Sequence, residues 1–313
     1  MARLIKIEKE ELQDFAHQNL KTKYCKELED GNILFFPTCP FEFPKNELDF
    51  LLAQKQTGAK NRKNIAYKPQ ADKITNFEKS SVEHEEYFRS IMRNFSNRSV
   101  QFLSMLLEPY QNSWHLDYAS FRPFQEKGRP LRLRARNDLL HVDSFPTRPM
   151  HGNRILRFFI NINPIESRKW ITTSPFEILA KQFGGSDQMP FPKGVDESIL
   201  GTLLRKTKKW VNQSGIPISL ASPYDQFMLG LHNFLKENSD FQQNCPKDFW
   251  EFPPLSCWAV YTDLVSHAAI SGQYALEQTI IIPKEALVQP EKAPVSILEN
   301  LTGKKMTDPL FSS

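Results

Sequence analysis

Two stretches of strand-like texture, residues 113–164 and 257–283, stand on either side of a long segment that does not share it. Ser113 to Phe124 and Leu131 to Leu140 each alternate apolar and polar side chains, as half-buried strands do. Arg154 to Asn163 is an apolar run stopped by Pro164, and strand texture returns at Trp258 to Val265 and at Gln273 to Ile282. The intervening residues read as a mostly helical insertion, with helices expected at 175–183, 196–213 and 224–238. Strands of this kind must bury one face against another layer. One sheet system interrupted by an insertion meets that need better than two tandem domains. The expected class is α+β, with a double-stranded β-helix (jelly-roll) core in a single domain over 1–313. A mainly helical N-terminal part is expected at 1–112, a helical insertion at 165–256, and a proline-containing tail at 284–313 that wraps the surface.

The N-terminal part offers an amphipathic helix at 5–20 and a short buried strand from Gly31 to Pro37. A helix at Asn46 to Gln54 and a basic polar loop from Gln54 to Ala71 follow. Residues 82–108 space Phe88, Ile91, Met92, Phe95, Phe102 and Leu103 as one long helix, or as two parted near Asn97. A net charge of +4 is too small for a whole-chain nucleic-acid binder, but it suits anionic substrates or an anionic membrane face. Cys25, Cys39, Cys245 and Cys257 are widely spaced, the opening residues lack the apolar run of a leader, and no membrane-spanning stretch is present. A cytoplasmic protein with reduced thiols is the expectation.

The chemistry centres on His141-Val142-Asp143. In a strand, residues i and i+2 face the same side, so an imidazole and a carboxylate at this spacing can grip one cation. A second histidine from a distant strand completes a two-His, one-carboxylate facial triad. Such a triad leaves open positions on iron(II) for a bidentate 2-oxo acid and oxygen. H-x-D alone is a weak motif, and His115-Leu116-Asp117 is a second copy. His141 and Asp143 are preferred because they follow a strand-like run and precede a loop and the strand Arg154 to Asn161. They also have a suitable third ligand downstream: His267, at the end of the run Trp258 to Val265. His232 competes, but its surroundings read as helix, where a lone histidine is more often a packing residue.

A 2-oxo diacid also needs a cation for its distal carboxylate, and arginine is the usual fork. The positions about ten residues beyond His267 hold Glu277 and Gln278, so no arginine stands there. Arg157 is the favoured substitute, with Asn161 on its strand face, Gln278 as an amide donor and Arg136 as a further candidate. Any one of these arginines could instead make a structural ion pair.

The runs LHVDSFPTRP (140–149) and HGNRILRFFININP (151–164), with DLVSHAA (263–269) and GQYALEQT (272–279), resemble the Kdo hydroxylases. These are bacterial iron(II)/2-oxoglutarate oxygenases of the lipopolysaccharide inner core. The resemblance implies iron(II) as cofactor and 2-oxoglutarate and O2 as cosubstrates. It also implies hydroxylation at carbon 3 of a Kdo sugar (3-deoxy-D-manno-oct-2-ulosonic acid) on lipid A or a precursor. An acidic, phosphorylated substrate calls for a basic pocket, for which Arg134, Arg148, His151 and Arg154 are candidates. The basic stretch Leu204 to Trp210 could rest on the anionic inner-membrane surface, or could simply be a solvated helix face. Three other readings stay open: an oxygenase acting on a protein side chain, a sugar-binding jelly roll without catalysis, and a zinc hydrolase on the same ligands.

Overall fold

The computed structural model describes residues 1–14, 18–54, 64–78, 80–196, 198 and 221–308. Strands β1 (Leu4–Lys6) and β2 (Ile33–Phe36) flank helix α1 (Gln18–Glu29). The expected helix at 5–20 is therefore displaced toward the C-terminus, because Leu4–Lys6 pairs in parallel with Ile33–Phe35. Gly31, at φ +81°, ends α1 where a side chain would be strained, and its N–H returns to the Leu28 carbonyl. Next come α2 (Lys45–Leu52), β3 (Ile65–Lys68), β4 (Lys73–Thr75) and the long α3 (Val82–Leu106). Ser81 caps α3 by accepting the His84 N–H, and Glu83 and Glu85 favour its N-terminal dipole. The helix runs unbroken past Asn97, with Phe95, Ser96, Ser99, Phe102 and Leu103 continuing its buried face on either side of that residue.

Strand β5 (His115–Arg122) lies within the alternating run Ser113 to Phe124, and β6 (Arg154–Asn161) within the apolar run stopped by Pro164. They are followed by β7 (Arg168–Pro175), α4 (Phe176–Phe183), α5 (Pro223–Glu237) and α6 (Ser239–Asn244). Then come β8 (Asp248–Phe252), β9 (Cys257–Tyr261), β10 (Val265–Ser271), β11 (Ala275–Ile282) and α7 (Pro294–Thr302). Residues 131–140 are not a strand; they hold a short 3-10 turn at Leu133–Ala135. The run Trp258 to Val265 divides into β9 and β10 at a turn over 262–264. The segment expected to be helical contributes two strands, β7 and β8. Along β7 the buried positions include Arg168 and Thr172, which erases the apolar alternation that would have marked it. The helix expected at 196–213 and the basic stretch Leu204 to Trp210 lie outside the described residues. The tail contributes Val295, Leu298 and Met306 to the core rather than only skirting the surface.

The strands form an eight-stranded sheet in the order β1-β2-β9-β6-β11-β5-β3-β4 and a three-stranded sheet β10-β7-β8. The two lie face to face as a jelly roll. Period-two alternation sends Phe36 and Phe158 outward onto Phe102 of α3, with ring centroids 5.2 and 5.7 Å from it. Ile33, Phe35, Phe159, Trp258 and Val260 point inward onto Trp170, Phe252, Val265 and Ala269 of the smaller sheet. That inner cluster closes one end of the sandwich, with Phe252 stacked on Trp258 at 3.9 Å. Among the described residues no helix is long and apolar enough to cross a membrane.

Candidate metal centre

The chain from Asn137 to Asp143 runs beside β10 as an irregular segment, joined to it by an isolated β-bridge at His141. His141 exchanges both backbone hydrogen bonds with His267, at 3.1 and 2.9 Å, and the Ala269 N–H reaches the Asn137 carbonyl. This register puts His141 and His267 side by side, and the two-residue step to Asp143 returns its carboxylate to the same side. One ligand atom from each of the three residues lies within 4.8 Å of the others. All three side chains are buried.

The imidazoles are oriented for ligation. His141 Nδ1 stands 2.7 Å from the Leu139 carbonyl and His267 Nδ1 stands 2.9 Å from the Val265 carbonyl. A carbonyl only accepts, so each Nδ1 carries the proton and each Nε2 keeps its lone pair for a metal. Burial pushes both histidines below their ordinary value, which keeps them neutral. For Asp143 burial works the other way, but the Arg157 guanidinium, 2.9 Å from its Oδ2, is the strongest opposing influence; the carboxyl is held well below the usual range and stays ionised. Trp170 stacks on His267 with centroids 5.1 Å apart, and His232 packs edge-on against His141 at 5.0 Å. His232 is engaged with the Val142 carbonyl at 2.7 Å, and burial lowers it to about 4, so it braces the H-x-D segment as a neutral ring.

Behind the triad lies a cavity of about 210 Å³, lined by Arg122, Arg157, Arg168, Asn64, Asn137 and Trp170 among others. This is smaller than the roughly 300–1,000 Å³ that drug-sized ligands occupy, and suits a short acid. Buried carboxylates hold the guanidiniums in place. Glu277 pairs with Arg122 and Arg157. Glu126 pairs with Arg168 at 3.0 Å, and Arg122 and Arg129 lie within 4.0 Å of it. Burial lowers Arg168, and its Nε, like Trp170 Nε1, has no hydrogen-bond partner among the described residues. Two buried, unsatisfied donors on the wall of a cationic cavity are what an anionic ligand would complete. The donor set therefore fits both a divalent metal and a 2-oxo diacid.

Of the oxoglutarate candidates named from sequence, only Arg157 lines this cavity. Asn161 instead donates to the Glu166 and Phe252 carbonyls at 2.9 Å, tying off the end of β6. Gln278 shares the face of its cross-strand partner Phe158, so it points toward α3 and donates to the Thr279 carbonyl. Arg136 makes a bidentate pair with Asp138. The substrate candidates scatter too. Arg134 is a surface partner of Glu237. Arg154 is wholly buried, paired with Asp263 and packed over Tyr261. His151 sits at the start of α5, where Asp225 accepts its backbone N–H. Arg148 does not line the cavity either; it pairs with Asp117 and stacks on Phe145 and Tyr118. The competing motif is therefore split: Asp117 serves Arg148, and His115 is exposed. Arg122, Arg168 and Trp170 were missed from sequence. Arg122 ends an alternating strand, a legible cue, whereas β7 lacked one.

The family model for 3-deoxy-D-manno-oct-2-ulosonic acid (Kdo) hydroxylase matches residues 11–305. The chain belongs to the Kdo hydroxylase family. The Kdo hydroxylase KdoO, a non-heme Fe(II) α-ketoglutarate-dependent dioxygenase, is similar over nearly its whole length. Its complex with α-ketoglutarate and Fe(III) is 32% identical, with 97% of each chain covered and a TM-score of 0.81. Its cobalt(II) complex is 32% identical, with 98% of each chain covered and a TM-score of 0.82. No curated protein matches the chain. In this chain the segment from Asn137 to Asp143, β10 and β6 supply the three candidate ligands and Arg157, while β5 and β7 supply Arg122 and Arg168.

Proposed function

We propose that this Kdo hydroxylase holds iron(II) with His141, Asp143 and His267 and inserts a hydroxyl at carbon 3 of a Kdo sugar carried on lipid A or its precursor. The observation that carries the reading is the convergence of three ligand atoms within 4.8 Å at the mouth of a cavity walled by Arg122, Arg157 and Arg168. In this reading those guanidiniums hold 2-oxoglutarate. Glu126 and Glu277 fix their orientation, so little side-chain entropy is lost when the anion arrives. Trp170 shields His267 on one face and His232 supports His141, so the ligands meet the metal already oriented. When bound, iron(II) with oxygen and 2-oxoglutarate supplies the oxidant that turns a C–H into C–OH, while the 2-oxo acid loses carbon dioxide and becomes succinate. The side chains bind, orient and exclude water. Action at the cytoplasmic face of the inner membrane belongs to the same proposal, since the lipid substrate is presented at a surface.

The test is a mass spectrum of a Kdo-lipid A precursor incubated with the protein, iron(II), 2-oxoglutarate, ascorbate and air. The lipid should gain one oxygen, and His141→Ala should lose both the gain and stoichiometric iron. Succinate formation without a change in the lipid would mean that the substrate is wrong. Iron-loaded, folded protein that does neither would overturn the metal site.

A further inference from the structure

The inner face of the large sheet continues past the metal cavity toward its β3 edge. Register places Ala66 opposite Ser120 there, with Asn64 and Arg122 toward the cavity and Lys68 and Tyr118 away from it. The β5–β11 ladder slips between Gln278 and Ile280, so Asp117 and Tyr118 together oppose Thr279. A bulge of this kind re-aims side chains. Here it lets Asp117 pair with Arg148 while the Tyr118 ring carries two cations, the Arg148 guanidinium at 4.4 Å and the Lys68 ammonium at 5.1 Å. Phe145, two residues beyond Asp143, joins this shelf to the site: it lies under Arg148 at 4.2 Å and near Arg157 at 5.6 Å.

Two features mark the shelf as a ligand surface. Ser120 Oγ is buried on its floor without a hydrogen-bond partner among the described residues, beside the small side chain of Ala66. Charge is also unbalanced: Asp117 neutralises Arg148, but Lys68 has no ion-pair partner among the described residues. The shelf lies beside the metal cavity rather than in it: Lys68, Tyr118 and Arg148 are not among the residues that line the cavity, and β3 stands three strands from β6, about 14 Å at the usual ~4.8 Å spacing.

We infer that Lys68, held over Tyr118 and backed by Arg148, binds a second anion of the substrate, on the unit next to the sugar that is hydroxylated. The anion is a carboxylate of an adjoining acidic sugar or a phosphate in the same place. The inference rests on the proposed Kdo substrate and makes Lys68 a specificity residue. Ser120 Oγ supplies a hydrogen bond to a hydroxyl of the bridging unit, and Ala66 leaves room for it.

The test is calorimetric binding to the full chain with iron(II) and 2-oxoglutarate under strict exclusion of oxygen, so that nothing turns over. The probes are a Kdo methyl glycoside, the corresponding Kdo disaccharide, and the monoglycoside bearing a phosphate in place of the second sugar. Wild type should bind one or both of the doubly anionic probes at least about tenfold tighter than the monoglycoside, and the one that gains identifies the anion. Lys68→Gln should erase that preference while leaving the monoglycoside's affinity within about twofold, and Lys68→Arg should retain most of it. Ala66→Leu, which fills the floor without touching charge, should also weaken only the larger probes. Equal binding of all three probes by wild type, or a Lys68→Gln loss that is the same for each, would overturn the shelf. Binding of none of them by wild type would overturn the Kdo reading together with it. Binding of the monoglycoside with no gain from a second anion would sink the shelf alone.

Discussion

At the scale of single residues, the site is governed by which buried charges have partners. Glu126 is almost fully enclosed and faces Arg122, Arg129 and Arg168. Burial would raise its carboxyl, but those three guanidiniums hold it below the usual 4.5. A carboxyl depressed in the folded state stabilises the fold above its unfolded value, and that contribution disappears as the pH falls through the lowered one. Glu126→Gln should therefore cost about 3 kcal/mol at pH 7. The gap to wild type should narrow as the pH drops below about 4.5; thermal melts across that range check both the size and the sign. Arg168 has the complementary role. Arg168→Met removes a charged donor from the cavity wall and should raise the KM for 2-oxoglutarate by about ten- to a hundredfold, with iron content unchanged. An unaltered KM would assign the co-substrate to other residues.

Elements matter through register. The turn between β10 and β11 contains Gly272 at φ +123°, where an added Cβ would lie 2.7 Å from Arg168 Cγ and 3.0 Å from its Cα. The Gly272 carbonyl also accepts from Arg168 and from the Glu126 backbone N–H, both at 3.2 Å. Gly272→Ala is expected to strain this turn, lower the melting temperature, and raise the KM for 2-oxoglutarate more than that for the lipid. Equal effects on the two would indicate general unfolding instead. The same scale explains what the sequence patterns missed. β5, β6 and β11 were legible because one face of each is apolar. β7 was not, because its inward face carries Arg168 and Thr172, and the functional requirement for polar groups inside the roll removed the periodicity by which a strand is recognised.

For the whole molecule, the proposed metal and co-substrate sites draw residues from both sheets, so filling them should tie the sheets together. A ligand that binds only the folded chain stabilises it by about 2.7 kcal/mol at a hundred times its dissociation constant. For a chain of this size that corresponds to a rise of roughly 5 °C. Oxygen-free protein with iron(II) and 2-oxoglutarate should melt higher than chelator-treated protein by about that amount, and His141→Ala should show almost none of the rise. A full shift in the variant would place the metal elsewhere.

The H-x-D spacing, the late histidine and the jelly-roll class could be read from the chain alone, because each depends on local rules: two residues per repeat in a strand, and apolar faces that must be covered. Of the arginines that face the cavity, Arg157 was read from the chain, but Arg122 and Arg168 were not. Arg157 and Arg154 stand three residues apart on one strand, yet one touches Asp143 and the other is locked against Asp263 in the core. Asn161 and Gln278 carry suitable amides, but backbone carbonyls occupy them. Glu126 and Glu277, remote in sequence, decide where Arg122 and Arg168 point. A side chain's chemistry is written in its residue type, but its partner is set by strand register and packing across two sheets, and those exist only once the roll has closed.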